Sequence, residues 1–362
     1  MSDSRPHLQD HSLEALRERF AEQGVAPYRA EQVAGWLYAR GVDDPAAMSD
    51  LPAELRAWLE RSWRLRALAW DALERSADGT RKGRLRAADG ALVESVLIPE
   101  GERTTLCIST QVGCPLACSF CATGALGFKR NLRAAEIVDQ VCRMREALAP
   151  GERITNVVYM GMGEPLLNLR AVIESARVLL HPKAFALGPR RVTVSTAGVV
   201  PRIGALLDAV PVNLAVSLHA STDALRDRLV PLNRRFPLSV LIGALRAHAS
   251  VTPRRPVFFE YTLMEGVNDA MEDARRLARL LRGLPSKLNL IPMNPHEDCG
   301  EQPSPPEVVE RFAAELARYD VTVTVRRPRG ADIAAACGQL ALRSAPARAP
   351  IPEASATPCS TP

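Results

Sequence analysis

The sequence predicts an α/β protein built as a partial (β/α)6 barrel, preceded by a small N-terminal helical accessory domain and a β-hairpin extension. Three observations carry this prediction. After Arg103, short β-branched runs alternate with longer amphipathic stretches, the texture of βα units on a parallel sheet. The first 70 or so residues read instead as helical. Between the two lies a β-prone segment broken by Asp89-Gly90, a hairpin signal. The expected organisation is a helical accessory domain over residues 1–75, the hairpin over 76–102, the barrel over 103–342, and a disordered tail over 343–362.

In the helical segment Leu13, Leu16 and Phe20 recur at helical spacing, and Val33, Trp36 and Leu37 share one face ahead of Gly41, a stop signal. All four tryptophans (Trp36, Trp58, Trp63 and Trp70) fall in this segment and are expected to pack its core. The barrel strands are read over 104–110, 154–160, 191–196, 212–218, 257–263 and 287–293, with a seventh short run over 321–327. Six repeats and a remnant suit an incomplete barrel better than a short open sheet, and such barrels carry their chemistry on the loops after the C-terminal strand ends. From Arg343 the chain is rich in Pro and Ala without apolar periodicity, which predicts disorder.

Composition narrows the function classes. The 362 residues, 47% of them apolar, are ample for a buried core. Eight cysteines at this length are too sparse for a disulfide scaffold. No run of about 18 uncharged apolar residues exists to span a membrane, and the first 20 residues mix charges without an apolar signal-peptide core. The expected setting is the cytoplasm, where thiols stay reduced and clustered cysteines point to metal or chemistry. Lys and Arg total 46 against 41 acidic residues, a net charge of +5. Acidic residues outnumber arginines up to Arg75, so the basic excess lies in the rest of the chain, compatible with a polyanionic partner.

Cys114, Cys118 and Cys121 form a C-x3-C-x2-C group after the first barrel strand. Structural zinc usually takes four protein ligands. Three thiolates on one tight loop instead suit three corners of a cubane iron–sulfur cluster, with one iron left open. A zinc site completed by His219 or His296 is the other reading of the same residues. Further on, Gly161, Gly163 and Pro165 surround Glu164, where small residues let backbone approach a ligand and a carboxylate can receive an ammonium group. Ser195, Ser217, Leu218, His219 and Asn294 stand at or just past strand ends, the face where a barrel ligand lies.

The three-cysteine loop, with Phe120 just before its last Cys, resembles the radical S-adenosylmethionine (SAM) superfamily. The resemblance narrows through Gln111-Val-Gly-Cys114, Gly127-Phe-Lys-Arg-Asn131, Gly161-Met-Gly-Glu-Pro-Leu166, Ser195-Thr-Ala-Gly198, Ser217-Leu-His219, Ile291-Pro-Met-Asn-Pro295 and Ala336-Cys-Gly-Gln-Leu340. Together with Tyr28-Arg-Ala-Glu-Gln-Val and Trp36-Leu-Tyr, these look like the dual-specificity RNA adenine C2-methyltransferases of the RlmN type. The resemblance covers nearly the whole chain apart from the tail. It implies a 4Fe-4S cluster on Cys114, Cys118 and Cys121, and S-adenosyl-L-methionine chelated to the open iron. It further implies that Gly163 and Glu164 contact the SAM amino group, and that Ser195, Ser217, Leu218, His219 and Asn294 bind the rest of SAM.

Adenine C2 has neither an acidic proton nor a nucleophilic lone pair, so direct methyl transfer from a sulfonium does not suit it and a radical route is required. In the family resembled, the Cys of the ACGQL motif, here Cys337, takes a methyl group from one SAM. A 5′-deoxyadenosyl radical from a second SAM then abstracts hydrogen from that methyl, and the carbon radical adds to adenine C2. The resemblance assigns Glu94 as acceptor of the C2 proton and Cys107 as the residue that releases the adduct by a disulfide with Cys337. Read without the family, Cys107 is a buried strand residue and Glu94 an exposed hairpin residue.

The partners implied are 23S rRNA near the peptidyl-transferase centre, a tRNA anticodon-loop adenine, and an electron donor such as flavodoxin or ferredoxin; a monomer suffices. The target base must leave its stack to react. Lys129-Arg130, Arg234-Arg235, Arg254-Arg255 and Arg326 to Arg329 are candidate phosphate contacts. Two other functions compete: a Cfr-type adenine C8 methyltransferase, which shares the cluster and both extra cysteines, and a zinc-organised RNA-binding protein without catalysis.

Overall fold

A computed structural model of the chain describes residues 5–297 and 299–342, so the expected tail and Cys359 lie outside the described residues. The chain opens with three helices. Helix α1 (Leu13–Glu22) starts at Ser12, whose hydroxyl accepts the Ala15 N–H at 3.4 Å. Helix α2 (Arg29–Ala34) runs on through a wide turn over Gly35–Arg40, and α3 (Ala53–Ser62) completes the set. Their apolar faces bury Leu16, Phe20, Val33, Leu37 and Leu59 in a core that also takes in Val138, Cys142, Val178 and Ala184. Those four belong to the barrel layer, so the helical segment is seated on the barrel's outside.

The helical segment is shorter than the sequence reading, which carried it to residue 75. Leu68–Arg75 is a strand, β1, and its Trp70 belongs to the barrel core rather than the helical one, with its indole N–H donating to Glu146 at 2.8 Å. The run Leu-Ala-Trp-Asp-Ala-Leu fits either period. Pairing with β2 (Arg81–Ala87) decides it.

The hairpin is likewise part of something larger. Strands β1, β2, β3 (Leu92–Glu100) and β4 (Arg103–Cys107) pair antiparallel in succession. Beyond β4 come two short strands, β5 (Gln111–Gly113) and β6 (Phe128–Asn131), which pair only with each other and flank helix α4 (Ala122–Ala125). The barrel then proceeds as α5 (Ala134–Glu146), β7 (Asn156–Tyr159), α6 (Leu169–Leu180), β8 (Val192–Thr196), α7 (Val200–Ala209) and β9 (Asn213–Ser217). After β9 come α8 (Asp223–Leu229), α9 (Leu238–Ala247), β10 (Val257–Leu263), α10 (Met271–Leu281), β11 (Ser286–Pro292), α11 (Pro306–Ala317) and the three-residue β12 (Val323–Val325).

One ten-stranded sheet results, in the order β1-β2-β3-β4-β7-β8-β9-β10-β11-β12, parallel from β4 onward. These are the six expected barrel strands and the seventh remnant. Strands such as β10 are buried on both faces, which explains their near-continuous apolar runs. Strands β1 and β12 are the sheet's two edges. The segment after β12 bridges them: Asp332 accepts from the Ser76 hydroxyl at 2.6 Å and the Ala77 N–H at 3.3 Å, and the Gly330 N–H donates to Asp78 at 3.0 Å.

Candidate active site

The cysteine loop hangs from the β5–β6 clasp. The Cys114 N–H donates to the Gly127 carbonyl at 3.1 Å, and Gly113 (φ +75°) lies so close beneath it that a Cβ there would stand 1.7 Å from the Gly127 oxygen. Only glycine fits both the conformation and the approach. Burial pushes the Cys114 thiol up to about 12, with the negative charges of Cys121 and Glu164 adding to it. The Cys118 thiol is raised by burial too, then by Cys121 and Cys114. Thiolates that destabilise one another in a desolvated pocket fit a group that brings positive charge. Among the described residues no three His, Cys, Asp or Glu side chains form a set that one ion could hold.

The Gly161–Leu166 loop stands at the C-terminal end of β7, beside this clasp. Gly163 (φ +103°) lets its backbone lie against Gln111, where a Cβ would come within 2.6 Å of the Gln111 Cβ. The Gln111 amide oxygen accepts the Glu164 N–H at 2.8 Å. The Glu164 carboxylate is buried and already braced: one oxygen accepts the Leu166 N–H at 3.0 Å and the other the Ala197 N–H at 2.8 Å. Burial nonetheless raises its pKa. A third hydrogen bond comes from the Thr196 side chain, which still leaves the carboxylate acceptor capacity for an ammonium group.

The remaining strand-end residues divide by what their polar atoms do. The Ser195 hydroxyl donates to the Tyr159 carbonyl at 2.6 Å, so its proton is spent on the neighbouring strand. The carbonyls of Ser217 and Leu218 both accept from the Arg226 guanidinium at 3.0 Å. His219 takes a left-handed conformation, φ +57°, held by the Thr262 N–H donating to its Nδ1 at 3.1 Å and by Asn268 donating to its carbonyl at 2.9 Å. Because Nδ1 accepts, the ring proton sits on Nε2. Burial pushes the imidazole down to about 3, so it stays neutral, and it meets the Phe120 ring edge-on at 4.6 Å. Asn294 donates to the Cys337 carbonyl at 3.1 Å.

Cys337 rides on the segment that bridges the sheet edges, pinned by the Ala122 N–H donating to the Gly338 carbonyl at 2.8 Å and by Gln339 donating to the Pro295 carbonyl at 2.7 Å. The residue is open to solvent, yet the surrounding walls push its thiol up to about 12, with the charges of Glu260 and Cys121 contributing. Cys107, at the end of β4, is buried, and its thiol is raised to about 12 by burial and then by Cys337. Cys337 therefore lies within electrostatic reach of both Cys107 and the cluster loop.

Glu94 is fully buried rather than exposed, which overturns the reading from residues alone. Val96 pairs with Cys107 across β3–β4, and Glu94, two residues earlier, shares that face. Ser95 points the other way and donates to Gln140 of α5 at 2.8 Å. One Glu94 oxygen accepts the Leu342 N–H at 3.1 Å, which ties it to the Cys337 segment. Hairpin position had suggested solvent; the four-stranded extension and the bridging segment cover the residue instead.

Sequence reasoning missed Arg226. This fully buried guanidinium binds the carbonyls of Ala197, Ser217 and Leu218 and the Asn233 amide oxygen, and so fixes three strand-end positions at once. A lone Arg in an amphipathic helix carries no signal for this. Four basic candidates have partners: Arg130 pairs with Asp89 and Glu136, Arg255 donates to the Val210 and Val212 carbonyls, and Arg326 and Arg329 each stand 3.9 Å from a carboxylate, Glu260 and Asp78. Lys129, Arg234, Arg235, Arg254, Arg326 and Arg327 are exposed. Cys142 is buried beneath the helical segment, and Cys299 donates to Glu301 at 2.9 Å. No helix among the described residues is long and apolar enough to cross a membrane.

A parallel partial barrel with three cysteines on the loop above its first strand defines an enzyme of the radical SAM class, and residues 108–278 match the Radical SAM superfamily. Residues 7–65 match the ribosomal RNA large subunit methyltransferase N-terminal domain. A Geobacter sulfurreducens protein named dual-specificity RNA methyltransferase RlmN is 48% identical, covering 93% of this chain and 92% of that one. A protein of the same name from Anaeromyxobacter dehalogenans is also 48% identical, covering 96% and 94%. The crystal structure of a radical SAM methyltransferase from Sphaerobacter thermophilus superposes with a TM-score of 0.86 at 46% identity, over 92% of this chain and 98% of that one. The chain belongs to the RlmN family of dual-specificity RNA methyltransferases. Family membership displaces the non-catalytic zinc reading.

Proposed function

We propose that this enzyme methylates C2 of an adenine in 23S rRNA, in the peptidyl-transferase region, and of an anticodon-loop adenine in tRNA, by way of an S-methylated Cys337. The observation that carries this reading is the direct bond between the two segments, the Ala122 N–H beside Cys121 donating to the Gly338 carbonyl beside Cys337 at 2.8 Å. Cys114, Cys118 and Cys121 would hold a 4Fe-4S cluster, and Gly163, Glu164, Ser195, Ser217, Leu218, His219 and Asn294 would line the SAM site. When bound, these cofactors supply the methyl group and the radical that activates it, with electrons from a donor such as flavodoxin or ferredoxin.

The chain's own residues do the rest. Cys337 carries the methyl-derived carbon to adenine C2, where a carbon–carbon bond forms. Glu94 accepts the C2 proton; its raised pKa suits a group that must hold that proton near neutral pH. Cys107 then bonds to the Cys337 sulfur as the carbon–sulfur bond breaks; the methylene left on the base takes up a proton to become the methyl group, and the one surplus electron of the radical adduct passes to a carrier of the flavodoxin or ferredoxin type. Neutral His219 and buried Arg226 fix the strand-end loops without entering the chemistry. The exposed Lys and Arg side chains supply phosphate contacts, and the N-terminal helices a second RNA surface.

The test is expression in a cytoplasm lacking adenine C2-methyltransferase, followed by mass spectrometry of methyladenosine isomers in separated rRNA and tRNA. 2-Methyladenosine in both pools supports the reading. 8-Methyladenosine instead assigns the Cfr-type activity, and neither product from cluster-loaded enzyme overturns both.

A further inference from the structure

The antiparallel extension buries a cation that nothing above explains. Lys82 on β2 is 2% exposed. Its Nζ donates to the Ile333 carbonyl at 2.6 Å and stands 3.3 Å from Glu74 Oε2 on β1 and 3.7 Å from Glu94 Oε1 on β3. Both carboxylate oxygens are buried and, among the described residues, without a hydrogen-bond partner. Burying three charges costs free energy that apolar packing would not, so stability alone is a poor reason for the trio.

Its geometry suits a different task. An ammonium held 3.7 Å from Glu94 Oε1 favours the ionised carboxylate without occupying that oxygen, which stays open to receive a proton. The other Glu94 oxygen is spent on the Leu342 N–H. The same ammonium grips Ile333, four residues before Cys337, so base and reacting thiol are set by one side chain.

We propose that Lys82 is a positioning residue for Glu94, keeping it ionised with one oxygen open and fixed relative to the Cys337 segment, while Glu74 sets how strongly it does so. The proposal rests on Glu94 as proton acceptor. In that step the adenine C2–H bond breaks, the proton passes to Glu94 Oε1, and the electron pair stays on the ring. The groups bearing on Glu94 are Lys82 and Arg84 from β2, Glu74 from β1 and the Leu342 N–H from the bridging segment. Lys82, Leu342 and Arg84 favour the charged form, whereas burial and Glu74 oppose it.

The two neighbours therefore act with opposite sign. A base works only when ionised, so the rate rises with pH through the Glu94 pKa. Removing the Lys82 charge moves that rising limb to higher pH; removing the Glu74 charge moves it lower.

The experiment uses full-length, cluster-reconstituted enzyme with Cys337 already methylated and an RNA that the unaltered enzyme methylates. Product and covalent protein–RNA adduct are followed in single turnovers across pH. Lys82→Met is expected to accumulate adduct at low pH, with about a tenfold loss of product for each pH unit the limb moves, recovering as pH rises. Glu74→Gln moves the limb the other way, and Lys82→Arg leaves it in place. Losses independent of pH, or shifts of one sign in both variants, overturn the proposal. If Lys82→Met does not fold, Glu74→Gln decides: an unmoved limb overturns it. Glu94→Gln separates the two assignments. Normal adduct resolution in that variant removes the base itself and the proposal with it, whereas stalled resolution with unmoved limbs removes only the role of Lys82.

Discussion

The Asn294 side-chain amide donates to the backbone carbonyl of Cys337 at 3.1 Å, joining the loop after β11 to the segment that bridges the sheet edges. Asn294 thus acts on the position of Cys337, in addition to the SAM contact proposed for it. Asn294→Ala should cost about 0.5–1.5 kcal/mol of stability, the worth of one such bond. Iron content is expected to stay normal while single-turnover methylation falls, checked by iron assay and product quantification on the same preparation.

The cysteines should separate by role. Cys118→Ala is expected to lose the cluster, seen as loss of the charge-transfer absorption and of bound iron. Cys107→Ala should assemble the cluster yet accumulate protein crosslinked to RNA, visible as a shifted band on a denaturing gel. Absence of that band in a cluster-loaded variant would count against the role given to Cys107.

At Gly113 an added methyl would collide with the Gly127 carbonyl in a conformation that L residues rarely adopt. Gly113→Ala should open the β5–β6 clasp without touching the ten-stranded sheet. The expected result is a cluster-poor protein whose far-ultraviolet circular dichroism is unchanged.

His219 gives a pH signature to folding. Its pKa falls from 6.5 in the unfolded chain to about 3 in the folded one, because burial disfavours the imidazolium. Below pH 6.5 the unfolded state gains a proton that the folded state refuses. Stability is therefore present above pH 6.5 and is lost as pH falls toward 3, at up to about 1.4 kcal/mol per pH unit. Denaturant titrations of His219→Gln should show a shallower decline across that window.

Much of this was legible beforehand because periodicity and spacing survive in one dimension. The parallel strands fall within a residue or three of their expected bounds, since runs buried on both faces read as continuous apolar stretches. Cys114, Cys118 and Cys121 announce themselves by spacing alone. Trp70 and Glu94 did not, because each owes its environment to a partner far along the chain: α5 for the indole, the bridging segment for the carboxylate. Arg226 and Lys82 were silent for the same reason. A buried charge looks like a surface charge until the carbonyls and carboxylates that receive it are known.

The segment after β12 packs onto the cysteine loop that the β5–β6 clasp carries, the Ala122 N–H donating to the Gly338 carbonyl, and the two are separated by nearly the whole barrel in sequence. In vectorial synthesis the cysteine loop leaves the ribosome well before Cys337, and the domain they share is complete only when both have emerged. A cluster held on the cysteine loop as proposed would therefore be walled in by the last part of the domain to be synthesised, with Cys337 arriving as the door rather than as part of the room.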